Sequence, residues 1–155
     1  MFVAKKIIYT TLLVIWMIVI FMFSNDSGTS SLSKSDRVAR NTINTVSKIT
    51  KKKYTESKKD KIIKNTRFII RKTAHFTLYF ILGVLVYLTF RSYGISNRVF
   101  IYSILFCLVY AISDEIHQLI SSDRTARVLD VLIDTSGSIV SNFIIYMINY
   151  KKKFA

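Results

Sequence analysis

Four apolar runs, each about as long as a membrane is thick, decide most of what this chain can become. The first, Ile7 to Phe23 ("IIYTTLLVIWMIVIFMF"), carries no charge. The second is Thr73 to Phe90 ("TAHFTLYFILGVLVYLTF"), the third Val99 to Ile120, and the fourth Val128 to Tyr150. A hydrocarbon core of roughly 30 Å takes about 17 to 25 helical residues to cross. In lipid every backbone N–H and C=O must be paired within its own segment, so runs of this length read as helices. Amphipathic helices of a soluble bundle would show charge every few residues, and these runs do not.

The expected fold is therefore all-α: an integral membrane bundle of four transmembrane helices (about 7–23, 73–90, 99–120 and 128–150), with a long basic loop, 24–72, between helices 1 and 2. The chain has 155 residues, 51% hydrophobic and without proline, and reads as one membrane domain over 1–155. Lys5 and Lys6 precede the first run, and "SNDSGTSS" after it offers no small-x-small cleavage site, so the run reads as an uncleaved signal anchor. Cys107 is the only cysteine, which rules out an internal disulfide and a thiolate metal cluster; its place in an apolar run suits a small buried side chain.

The segment Ser24 to Lys72 holds fourteen of the 23 basic residues against four acids. Within it, Val38, Ile43, Val46 and Ile49 fall at helical spacing, so Lys34 to Ile49 reads as a surface helix, and Asp60 to Arg71 as a basic helical lead into the second crossing. The net charge of +14 raises nucleic acid as a partner. That class is set aside, because the charge is concentrated beside a membrane and no nucleic-acid motif accompanies it. Lys5/Lys6 and the Lys151–Lys153 run place both termini in the cytoplasm, although the raw charge of the loop argues the other way.

The most informative residues are polar ones inside the apolar runs. Residues three and four apart share a helical face. Asp114, His117 and Gln118 line one arc of the third helix, with Glu115 at its flank. Asp130, Asp134, Gly137, Ser138 and Ser141 line the fourth, and Arg71, His75, Tyr79 and Gly83 the second. With helices alternating in direction, the three stripes meet at one membrane face, joined by Arg124 and Arg127 of "SSDRTAR". Ionisable groups at the centre of a crossing cost about 2.5–3.5 kcal/mol each on insertion scales, and they face the bundle interior or a cavity. They are expected to form a polar pocket of Arg71, His75, Tyr79, Asp114, Glu115, His117, Gln118, Arg124, Asp130 and Asp134. Gly83 and Gly137 are expected to let helices approach closely. The bland alternative is that the same groups only pair with one another and lock the bundle.

Neither a metal site nor a catalytic residue is assigned. "DEIHQ" has no strong ligand spacing, no activated Ser or Cys nucleophile is evident, and a His–carboxylate dyad requires only proximity. Trp16 and the tyrosines read as interface anchors or packing rather than a stacking surface.

The motifs "RKTAHFTLYFILG" (Arg71 to Gly83) and "SDEIHQLISSDRTARVLDVLIDTSG" (Ser113 to Gly137), with the first helix running into "FSNDSGTS", resemble the VanZ-like family of bacterial membrane proteins. The residues matching that signature are Arg71, Lys72, His75, Tyr79, Gly83, Asp114, Glu115, Gln118, Arg124, Asp130, Asp134 and Gly137. The resemblance implies a small multipass protein of the cell envelope, in a family named for a member associated with low-level teicoplanin resistance. The enlarged basic loop departs from the pattern.

The functional expectation is a non-enzymatic cell-membrane protein, without cofactor, that binds an anionic amphiphile. Its partners would be membrane lipids, a lipoglycopeptide or a lipid-linked cell-wall precursor, held by the headgroup in the polar pocket at the outer face. An enzyme acting on a lipid-linked sugar or phosphate, using His75 or His117 with Asp114 or Asp134, is the first alternative; a structural scaffold is the second.

Overall fold

The computed structural model describes residues 2–25, 37–38, 40–42, 45, 47–49, 55–96, 98–121 and 127–154. Four long helices carry the chain: α1 (Phe2–Asn25), α2 (Glu56–Ser92), α3 (Val99–Ser121) and α4 (Val128–Phe154). No strand occurs among the described residues. All four helices are long and apolar enough to cross a membrane.

The chain divides into two compact units, one of Met1–Asn25 with His75–Ala155, the other of Asp26–Ala74. In the second unit, the described residues between 37 and 49 are helical. There, the Thr42 and Thr45 hydroxyls donate one turn back to the carbonyls of Val38 and Asn41, both at 2.9 Å. Lys34, where that helix was expected to start, lies outside the described residues.

Helix α2 begins at Glu56, so it takes in the basic lead Asp60 to Arg71 expected to be helical, and the loop expected over 24–72 ends before it. The reason is that hydropathy marks only lipid-crossing residues, whereas Lys and Arg are good helix formers and carry the helix onward. Thr55 caps the start: its carbonyl accepts the Lys59 N–H at 3.0 Å, and Thr is a favoured residue at this position. At the other end, Ile95 N–H bonds to the Phe90 carbonyl and Gly94 N–H to that of Arg91, both at 3.1 Å. Gly94 has φ +88°, so the chain leaves α2 through a left-handed glycine stop.

The core of the first unit is built by Leu13 and Ile20 of α1, Tyr79, Leu82 and Val86 of α2, and Cys107 and Ala111 of α3, with Val131 of α4 packed against them. Cys107 is a buried free thiol. Long apolar side chains point outward along the helices, among them Ile8, Leu12, Ile15 and Met22 of α1, Val109 of α3 and Phe143 of α4. An apolar outside around a core containing polar groups is the arrangement a lipid solvent favours.

Helices α2 and α4 approach closely at two glycines. A Cβ at Gly137 would fall on the Phe76 carbonyl, and one at Gly83 on the Ser141 hydroxyl and the Ser138 backbone. Small residues at such crossings let backbones approach, which supplies the dispersion contacts that drive helix association in lipid. Asn142 joins the same contact, donating to the carbonyls of Ser138 at 2.8 Å and Gly83 at 3.4 Å. Helix α1 is pinned by two side chains that donate across to backbone: Trp16 Nε1 to the Leu78 carbonyl at 3.0 Å, and the Tyr110 hydroxyl to the Met17 carbonyl at 2.7 Å.

Candidate functional site

At the end of α3, three polar side chains are buried where the sequence turns from apolar to "SDEIHQ": Asp114, Glu115 and Gln118. Helical spacing places Asp114 and Gln118 one turn apart on one face. Gln118 Nε2 donates to Asp114 Oδ2 at 3.1 Å and also reaches the Ser24 hydroxyl, at the end of α1, at 2.7 Å. Glu115 turns to α4. Its Oε1 accepts the Arg127 N–H at 2.7 Å, just before the first residue of that helix. This is the work a capping-box glutamate does, supplied here from a neighbouring helix, and a carboxylate there also complements the positive end of the helix dipole.

His75, Tyr79 and Asp134 form the other half. His75 Nδ1 is 3.5 Å from Asp134 Oδ1, which joins α2 to α4. One turn after His75, Tyr79 is fully buried, and among the described residues its hydroxyl has no hydrogen-bond partner. Its ring lies 6.2 Å from that of Tyr110. Asp114 and Asp134 both act electrostatically on Tyr79, and Asp114 lies in the fields of His75 and Asp134. Asp114 Oδ1, like the Tyr79 hydroxyl, has no hydrogen-bond partner among the described residues. Among the described residues, no Lys or Arg side chain pairs with Asp114 or Asp134.

Six residues named from the sequence thus belong to one end of the first unit: His75, Tyr79, Asp114, Glu115, Gln118 and Asp134. The others stand differently. The His117 ring packs on Phe21 of α1, centroids 4.4 Å apart, and is half-buried. Asp130 is half-buried in the first turn of α4. Arg71 belongs to the second unit and is half-buried there. Arg124 lies outside the described residues. Gly83 and Gly137 sit at the α2–α4 contact already described.

Sequence reasoning missed Ser24, Tyr110 and Asn142. Asn142 was within reach, since it continues the Asp134–Ser138 spacing by four residues. Ser24 and Tyr110 offered no such signal, because which helix faces α1 cannot be read from the periodicity of α1 itself.

Chemically, the cluster offers carboxylate oxygens, an unengaged phenol hydroxyl and an imidazole in a low-dielectric setting, where hydrogen bonds and charges act strongly. It can hold a polar group that donates hydrogen bonds, or move a proton between His75 and a carboxylate. Among the described residues, no group of three or more His, Cys, Asp or Glu is placed to hold a metal ion.

No curated protein and no solved structure matches the chain. A family model does: with residues 9–149 matched, nearly its whole length, the chain belongs to the VanZ/LLP1 family.

Proposed function

We propose that this VanZ/LLP1-family protein resides in the cell membrane with both termini in the cytoplasm, and binds the headgroup of an anionic amphiphile at the outer face. The observation that carries this reading is that the Tyr79 hydroxyl, Asp114 Oδ1 and Asp134 Oδ1 are buried without hydrogen-bond partners among the described residues, beside the His75–Asp134 contact. A structural lock would have paired them, since an unsatisfied buried polar group costs about 1–3 kcal/mol. Inside a crossing such groups mark a ligand or ion pathway by default.

The carboxylates repel an anionic group, so the two charges of the problem are divided. The basic residues of the second unit concentrate the anionic amphiphile near the membrane by long-range attraction. The cluster of the first unit then holds the part of the headgroup that donates hydrogen bonds. A lipoglycopeptide, a lipid-linked cell-wall precursor and a phospholipid each meet that description.

The test is susceptibility of a sensitive Gram-positive host to teicoplanin and vancomycin, with wild type or Asp134→Asn expressed at matched membrane levels. Selective protection from teicoplanin by the wild type, lost in the variant, supports a lipoglycopeptide-linked role. No protection by either removes that role and leaves lipid binding to be measured directly.

The His75–Asp134 contact favours a second reading, a membrane enzyme using the pair as acid and base on a lipid-linked sugar or phosphate. His75→Ala separates the two: an enzyme loses turnover while keeping its fold and its ligand, whereas a binding protein has no turnover to lose.

A further inference from the structure

Resting on the headgroup reading above, we infer that the cluster of Tyr79, Asp114 and Asp134 takes a primary ammonium group, so that the bound amphiphile carries an amine as well as its anionic group. Three observations lead there. The two carboxylates are 5% and 3% exposed and, among the described residues, no Lys or Arg side chain pairs with either. Among the described residues, His75 is half-buried and its Nδ1 lies 3.5 Å from Asp134 Oδ1. Tyr79, fully buried one turn after His75, has no hydrogen-bond partner for its hydroxyl among the described residues.

Two carboxyl groups in a low-dielectric interior either hold a proton or gain a positive partner, and for both to ionise they need more than the one charge His75 can supply. A sugar hydroxyl would supply hydrogen bonds but no charge. A metal ion would supply charge, yet among the described residues no group of three or more ligands is placed to hold one. A primary ammonium supplies both: a unit positive charge and three N–H donors with no acceptor. Its donors match the acceptors left open here, Asp114 Oδ1, an Asp134 oxygen and the Tyr79 hydroxyl oxygen. A quaternary ammonium carries the same charge without N–H donors and is excluded by the same logic.

The experiment uses the full chain in detergent micelles, with bound lipid counted by native mass spectrometry. The probes are phosphatidylethanolamine, phosphatidylcholine and phosphatidylglycerol with matched acyl chains. Wild type is expected to retain phosphatidylethanolamine about tenfold better than phosphatidylcholine, the value of about one charge-assisted hydrogen bond. Tyr79→Phe and Asp114→Asn, near-isosteric and checked for unchanged helical content, are expected to abolish that preference, so that phosphatidylethanolamine is retained no better than phosphatidylcholine. Free ethanolamine separates the sources: if it displaces the lipid, the site recognises the ammonium itself, and if it does not, the ammonium is recognised as part of a lipid.

Equal retention of phosphatidylethanolamine and phosphatidylcholine, or stronger retention of phosphatidylglycerol, overturns the ammonium assignment while headgroup binding stands. A preference that survives both substitutions overturns the placement of the ammonium at this cluster. No retention of any lipid overturns the headgroup reading and this inference together.

Discussion

His75 and Asp134 face each other across two helices, Nδ1 to Oδ1 at 3.5 Å, with Asp134 almost wholly buried and His75 half-buried. The contact is long for a hydrogen bond, so its value lies in charge and position more than in geometry. Polar pairs between membrane helices couple by about 0.6 kcal/mol on average and about 1.7 kcal/mol at most. A double-mutant cycle of His75→Ala and Asp134→Ala, read by thermal unfolding in detergent, is expected to give a coupling in that range. Strict additivity would show that the two residues do not sense one another.

The two close-approach glycines differ in what an added methyl group would strike. At Gly137 it meets the Phe76 carbonyl, main chain that cannot rotate away; at Gly83 the nearest atom is the Ser141 hydroxyl, which can. Overpacking a tight interior costs about 1–3 kcal/mol. Gly137→Ala is expected at the top of that range and Gly83→Ala lower. Adding Ser141→Ala should recover part of the second loss and none of the first. Relief would be partial, because the Ser138 backbone also stands 2.9 Å from the new Cβ. Thermal unfolding of the four variants checks the order.

How far these contacts were legible in the sequence differs by kind. The four helices were legible because a lipid-crossing segment must be long, apolar and helical, three constraints that leave one solution. Their ends were less so. Helix α2 begins at Glu56 because nothing in "ESKKDKIIKNTRFIIRK" opposes helix once Thr55 has capped it, and a hydropathy window does not register that. The meeting of His75 with Asp134 followed from alternating helix direction, and the roles of Gly83 and Gly137 from residue size. Glu115 was expected to line a pocket, whereas its carboxylate accepts the N–H that opens α4; a sequence shows that an acid is present, not which helix end it will cap. His117 shares an arc with Asp114 on paper, yet its ring rests on Phe21, since the neighbour on that side is α1.

Gln118 ties α3 to α1 through Ser24, and at the same time occupies one oxygen of Asp114. Replacing it by Leu keeps much of the volume but leaves Asp114 Oδ2 and the Ser24 hydroxyl without that donor. The loss of a donor to a buried charged acceptor is expected to cost about 1.5–3 kcal/mol. Ser24→Ala removes a hydroxyl that accepts from Gln118 and also interacts with the Asp114 carboxyl, so it is expected to cost a comparable amount, about 1.5–3 kcal/mol. Thermal unfolding of the two variants should show losses of similar size; no loss for Ser24→Ala would mean that Asp114 draws on Gln118 alone.

The basic part of α2 offers a test of the electrostatic half of the functional reading. Lys58, Lys61 and Lys64 are exposed, and the only acid between them is Asp60. Each Lys near an anionic surface contributes about fivefold in affinity. Reversing three of them at once, Lys58→Glu with Lys61→Glu and Lys64→Glu, removes three attractions and adds three repulsions. The full chain in zwitterionic nanodiscs, mixed with anionic vesicles, is expected to bind them at least about a hundredfold more weakly after the reversal. Wild-type binding should also fall steeply with salt, because the screening length shortens from about 10 Å at 0.1 M to about 3 Å at 1 M. Vesicle binding that ignores both the charge reversal and the salt would mean that this segment does not gather anionic amphiphiles, and the cluster of the first unit would then have to find its ligand unaided.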